Sequence, residues 1–412
     1  MAVKSRAWAW VPVSSMACLT SCVPRWALTS SLSTTTPHGN SVIKNLTLSA
    51  DEPLVYSGTE TGYGAFVCQN NKAGAGSLLI ENCVNNTDVD NRSGKNWTGG
   101  FIGGAANGSA ETTTTLRNCV NNATIKSANE AIAGMIGNAR KGDFYFENCV
   151  NNGELIGPKC IGALVGQGQT PHSMHATGCR NSANITATEN STSRTGGMIG
   201  SVYTCVTTTI ERCSNEGNIS GEFASVGGII GYMYANSDSL AITDCYNVGN
   251  VSGGSGAAGI LTLDASGSKS MTITNCWNGG AVTGGNASTP FARSSAICTN
   301  CFDVNGAQVG VMAVTNEQLA NGEVTYALNG DQSNIVWYQT LGDGGDAYPL
   351  LDSTHKVVAK ADNGTYYNTA DGITTVQSSE PAAQGGIFDL SGRRVQRMTK
   401  GLYIVNGKKV LK

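Results

Sequence analysis

The residues that could do chemistry in this chain are few, and most of them recur in register. Glu81, Glu147 and Glu211 each stand two residues before a cysteine. Carboxylates held at one offset of a repeating unit could line one outer face, and a polysaccharide-cleaving enzyme needs paired acids, or a metal and a base, in a groove. These three fall on nonadjacent units, so a solvated face is the expected reading. His172-Ser173-Met174-His175 holds the only close histidine pair. On a strand or turn that spacing does not match the helical zinc motif, and no metal site is expected. No phosphate loop, nucleophile elbow or dinucleotide fingerprint is present, and no cofactor is expected.

The remaining reactive groups are 14 cysteines, and they reveal what positions everything else. A cysteine followed two residues later by asparagine recurs as Cys83/Asn85, Cys119/Asn121, Cys149/Asn151, Cys179/Asn181, Cys213/Asn215, Cys245/Asn247 and Cys276/Asn278, and ends as Cys301/Asp303. The successive cysteines are 36, 30, 30, 34, 32, 31 and 25 residues apart. Self-similarity at such a period means stacked units. Leu46 occupies the cysteine slot of one earlier unit, so the stack starts before the first repeated cysteine.

Within a unit, apolar residues five and three positions before the cysteine, such as Leu78 and Ile80 or Leu240 and Ile242, alternate as in a half-buried strand. Continued alternation would turn the cysteine outward. The residue just before it can flip the parity, because it is Asn82, Asn118, Asn148, Asn275 or Asn300, with Gly178 and Asp244 at two others, all types that tolerate left-handed backbone. Arg212 is the exception. Six residues after the cysteine comes an aliphatic residue, from Val89 to Val282, marking a second strand. A small-residue run with two bulky positions, as in Gly134-Met135-Ile136-Gly137, reads as a third. Three short strands and three turns per unit predict a three-faced parallel β-solenoid.

Stacked units lie about 4.8 Å apart, so like residues pile on like. A column of cysteines is expected to fill a narrow corner as small, reduced, buried hydrophobes, since parallel Cβ vectors at that separation miss the roughly 3.8 Å of a disulfide. The asparagines are expected to form a buried amide ladder. Cys18, Cys22, Cys68, Cys160, Cys205 and Cys298 stand outside the column and share no common spacing, and no CxxC pair is read in the chain, so zinc is not expected.

Charged residues are 13% of the chain and the formal net charge is −3, which leaves no footprint for nucleic acid. No run of 18 apolar residues exists, so no transmembrane segment is expected. Asn-x-Ser/Thr triplets such as those at Asn45, Asn96 and Asn190 are expected by chance in so Asn- and Thr-rich a chain. Residues 1–40 allow two readings: a leader, in which Leu19-Thr20-Ser21-Cys22 would be a lipidation box with Cys22 modified, or a shifted start. Residues 41–305 form the solenoid of about 31-residue coils. Residues 306–368 read as a capping module of a helix and short strands, with Thr315-Asn316-Glu317-Gln318 in capping-box form and a Trp and Tyr cluster suited to lid the open end. Residues 369–385 are a linker, and 386–412 a β tail with a tight hairpin at Asn406-Gly407.

The glycine-strand and coil pattern resembles the GLUG-type and related right-handed β-helix repeats of bacterial surface proteins. The segment Glu317 to Asp352, with Leu328-Asn329-Gly330 and Trp337-Tyr338-Gln339, is similar to a module that follows such repeats in Bacteroidetes. The tail Gly401 to Lys409 resembles the C-terminal sorting-type tail of the same group. The resemblance implies a right-handed parallel β-helix in a secreted or outer-membrane-surface protein. The favoured function is noncatalytic and adhesin-like, a monomer displaying turns such as Asn86 to Trp97 and Gly166 to His175 toward host or dietary glycans or surface proteins. The rival is a polysaccharide lyase or glycoside hydrolase acting in a groove along one face.

Overall fold

The structure, a computed structural model, describes residues 40–411 apart from 57–61, 71–75, 93–96, 106–111, 190–192, 235, 263–269, 287, 293–295, 370–386, 390–393, 398–400 and 406–407. Cys18, Cys22, Asn96, Asn190 and the hairpin turn Asn406-Gly407 therefore lie outside the described residues.

The chain is an all-β parallel solenoid. Among the described residues, five parallel sheets, taken here in their order along one coil, hold nine, ten, eight, seven and six strands, and six coils carry a strand in every sheet. Five strands per complete coil appear where three were read, because two of the three stretches are broken by bends. The first break is the left-handed residue before the cysteine. Asn82, Asn118, Asn148, Arg212, Asp244, Asn275 and Asn300 all have φ between 50° and 53°, and Gly178 has φ 66°. Arg212 adopts this conformation despite its type, since the coils on either side hold the same bend.

The second break falls inside the glycine run. Phe101 and Ile102 are consecutive yet both fully buried, as are Met135 with Ile136 and Ile229 with Ile230. Two adjacent inward side chains require a bend, and a column of small residues supplies it. A Cβ on Gly134 would stand 2.3 Å from Asn151 Oδ1, and one on Gly228 would stand 2.7 Å from Asn247 Cγ. The glycine column thus packs against the asparagine column of the next coil, with Ala65, Ala163 and Pro290 its larger members.

The core runs up the stack as one cluster from Tyr56 to Val311. At its C-terminal end the strand Val311–Ala313 pairs with Cys301–Asp303. Gln308 closes the glycine-run end: its Oε1 accepts from the Phe291 and Ala292 N–H groups, both at 2.9 Å, and its Nε2 donates to Ala292 O at 3.0 Å.

The capping box at Thr315 and Gln318 forms, but it starts two short helices, α1 (Asn316–Ala320) and α2 (Glu323–Leu328), separated at left-handed Gly322. The module was expected to lid the open end. Instead it lies against the side of the stack, where Leu319, Val324, Leu328 and Trp337 form a second core with Tyr246, Trp277 and Phe302. Those three follow the column cysteine by one residue, so they point outward and need a cover of their own. Among the described residues no helix is long and apolar enough to cross a membrane.

The compact unit that contains the solenoid ends at Asn368, and a separate unit spans Thr369–Lys412. Its described strands, Ile387–Asp389, Arg394–Val395, Leu402–Val405 and Lys408–Leu411, form one antiparallel sheet.

Candidate functional site

The repeated corner is the best-defined constellation. Cys83, Cys119, Cys149, Cys179, Cys213, Cys245, Cys276 and Cys301 are at most 1% exposed, and all twelve described cysteines are free thiols. The column cysteines are buried and reduced, as expected, and they also make hydrogen bonds. The left-handed residue turns the cysteine N–H inward, where no strand partner faces it. The N–H of Cys149 therefore donates to Cys179 Sγ at 3.4 Å, and that of Cys213 to Cys245 Sγ at 3.4 Å. Most of these thiols in turn reach a carbonyl of the previous coil, as Cys149 does Leu116 O at 3.3 Å, while Cys213 reaches Glu211 O in its own coil at 3.3 Å. Burial pushes the thiols of Cys149, Cys179, Cys213 and Cys245 well above their ordinary value, so these four are unreactive.

The asparagines form a continuous ladder. Nδ2 donates to Oδ1 of the next coil from Asn85 to Asn121 (3.0 Å), Asn121 to Asn151 (2.8 Å), Asn151 to Asn181 (2.8 Å), Asn181 to Asn215 (2.7 Å), Asn215 to Asn247 (2.7 Å) and Asn247 to Asn278 (2.7 Å). A file of donors all pointing one way needs an acceptor at its end. Asp303 is that acceptor, taking Asn278 Nδ2 at 3.3 Å together with the backbone and side-chain N–H groups of Asn305 at 2.6 and 2.8 Å. Its burial pushes the carboxyl up to about 7, against the lowering effect of these hydrogen bonds.

On the outer face of the first sheet, the repeated glutamates belong to a file that alternates in sign: Lys44, Glu81, Arg117, Glu147. Lys44 Nζ meets Glu81 at 2.7 Å, and Arg117 bridges Glu81 at 3.0 Å and Glu147 at 2.5 Å. The hydrogen bonds from Lys44 and Arg117 hold the Glu81 carboxyl below its usual value, the opposite of what a general acid needs. Thr177 separates Glu147 from Glu211, and Glu211 pairs with Arg212 at 2.9 Å. Further up, the same file is Thr243, Thr274 and Thr299. The two histidines do not converge. His172 contacts Asp143 at 2.8 Å, whereas His175 contacts Thr209 Oγ1 at 2.7 Å and stacks on Tyr145 with ring centroids 5.0 Å apart. Among the described residues no group of three or more His, Cys, Asp or Glu side chains could hold a metal ion.

Of the two stretches expected as displayed turns, Gly166 to His175 is mostly strand: Val165–Thr170 and Ser173–Thr177 leave only two residues between them. Asn86 to Trp97 carries the strand Val89–Asn91 and continues into residues 93–96, outside the described ones.

What the sequence did not disclose is an open groove of about 740 Å³ between the asparagine corner and the module, lined by Arg180, Arg212, Ser214, Glu216, Tyr246, Leu350, Asp352 and His355 among others. Arg180 grips Glu216 through two nitrogens, Nε at 2.8 Å and Nη2, and the Tyr246 hydroxyl donates to the same carboxylate at 3.0 Å. Tyr246 stacks on Trp277 with centroids 5.1 Å apart, which fixes one wall. Arg180, Ser214 and Tyr246 are all middle residues of the Cys-x-Asn motif. Their variability was the available signal, unreadable until the module's position was known.

The fold and its corner define a parallel β-solenoid built on a cysteine and asparagine file. Comparison of the chain with family models, with curated proteins and with solved structures gave no match.

Proposed function

We propose that this chain is a noncatalytic binding solenoid of the extracellular or outer-membrane surface, and that it takes a glycan in the groove between the corner and the module. The observation that carries this reading is the groove itself. It is concave and presents the Arg180 guanidinium and Glu216 carboxylate, held in place by each other and by the largely buried Tyr246, fixed polar anchors of the kind that orient a sugar-sized ligand. Catalysis is disfavoured by the pairing of the aligned carboxylates with Lys44 and Arg117, which leaves them charged and engaged. The export and sorting expectations drawn from the repeat and tail resemblance agree with such a role.

A glycan array probed with the purified chain, followed by lyase and hydrolase assays on every glycan bound, tests it. Binding without turnover that is lost in Arg180→Ala is the expected result. Turnover of any bound polysaccharide would establish the carbohydrate-active enzyme instead, and binding untouched by Arg180→Ala would move the ligand off the groove.

A further inference from the structure

Cys298 stands outside the column, yet it lies three residues before Cys301 and completes Cys298-Thr299-Asn300-Cys301, a CxxC spacing between one stray and the last column member. The position three before the column cysteine is Ile80, Leu116, Phe146, Ala176, Ile210, Ile242 or Ile273 in the earlier coils. Its side chain faces the interior there, and Cys298 is in register with Ile273. Asn300 between the two cysteines is left-handed, φ 51°, so the parity flips and Cys301 also faces inward. The last coil alone therefore sets two thiols on either side of one tight corner. Column neighbours such as Cys276 and Cys301 have parallel Cβ vectors about one coil spacing apart, a poor match to a disulfide, whereas Cys298 and Cys301 both face inward on the two sides of one bend within a single coil.

We propose that Cys298 and Cys301 are a thiol–disulfide exchange site, which closes an intramolecular disulfide across the last corner of the stack. Cys301 is fully buried, but Cys298 is only partly so and its neighbour Ile297 is 66% exposed, so a small reagent can reach Cys298 first. Cys298 is the more accessible of the two thiols and is therefore the one that attacks, as its thiolate. It displaces one thiolate from a small-molecule disulfide and forms a mixed disulfide. Cys301 then gives up its proton, attacks Cys298 Sγ and releases the second thiolate. One disulfide is reduced to two thiols, the two cysteines are oxidised to one disulfide, and their protons end on the two released thiols.

The test treats the folded chain with glutathione disulfide, blocks free thiols with iodoacetamide under denaturing conditions, and digests with trypsin without reduction. The fragment Ser294–Lys356 carries these two cysteines and no others. It should appear two hydrogens lighter than the reduced peptide and unalkylated, while the other column cysteines are recovered alkylated. Cys301→Ser should stop at one glutathione on Cys298. Cys298→Ile, which restores the residue of the two preceding coils and so preserves packing, should leave Cys301 alkylated and free of glutathione. Two alkyl groups on the wild-type fragment, or glutathione held on Cys298 with Cys301 alkylated, would overturn the proposal.

Discussion

Two inward files and the outward file between them, all carried by one tripeptide, behave differently along the stack. The cysteine and asparagine positions repeat coil after coil because each side chain meets its own kind above and below. The middle position reads Val84, Val120, Val150, Arg180, Ser214, Tyr246, Trp277 and Phe302. It changes where its cover changes: solvent for the valines, the groove for Arg180 and Ser214, the module for the three aromatics. Repetition in this protein therefore marks what the stack needs, and departure from repetition marks where something else touches it.

The contrast is broken most severely at the covered end of the outward file. Trp277→Ala should cost about 3–5 kcal/mol and loosen α1 and α2, since it empties the second core. Val84→Ala at the same motif position should cost less than about 1 kcal/mol. Urea midpoints, with amide exchange over 316–328, check both, and equal costs would mean that the module is not anchored there. Next comes the inward file. Asn215 accepts from Asn181 and donates to Asn247 and Gly217 O at 2.9 Å, so Asn215→Ala orphans several buried groups and should cost about 2–4 kcal/mol. Its neighbour Ser214→Ala should stay under about 1 kcal/mol. Coincident midpoints for the pair would remove the ladder.

The end of the ladder gives a smaller, pH-dependent effect. Asp303 has a folded pKa of about 7, above the roughly 3.9 of an unfolded aspartate. Its protonated form is favoured by folding, so its contribution is complete below about pH 4 and is lost as the pH rises through about 7. Burial raises Asp244 in the same direction. Asp303→Asn, which continues the asparagine file, should raise stability at pH 8 by about 1–3 kcal/mol and flatten the slope between pH 5 and 8. An unchanged slope in thermal melts across that range would show the carboxyl to be ordinary. The smallest stability effect is expected at Arg180, whose side chain is half exposed beside a more buried Glu216: Arg180→Ala should lower the stability by less than about 1 kcal/mol, read from urea midpoints, while abolishing ligand capture. A large loss of stability would make the pair a clamp for the module instead of a groove wall.

Much of the coil was legible. The left-handed residue before the cysteine followed from a conflict that any reader of Leu240, Ile242 and Cys245 meets: strict alternation would expose a cysteine, so Asp244 must turn the chain. The asparagine ladder followed from the same residue type recurring at a fixed offset. Other features were hidden because their cause lies in a different coil. The glycine run looked like turn chemistry, but Gly134 and Gly228 are glycines because an asparagine amide from the next coil occupies the space of a Cβ. Glu81, Glu147 and Glu211 looked like one acidic face. Lys44 and Arg117, which alternate with the first two, make it an ion-pair file. Cys298 looked unplaced, since its relation to Cys301 matters only once both are known to face inward.

By itself the sequence determined the repeat, the inward files and the bend before each column cysteine, since these depend on the order of residue types along one coil and on like stacking over like. The tertiary structure alone decided where the module settled, which acids were neutralised and where a groove opened. Those outcomes depend on residues from different coils and from beyond the stack, brought together at distances that no spacing along the chain encodes.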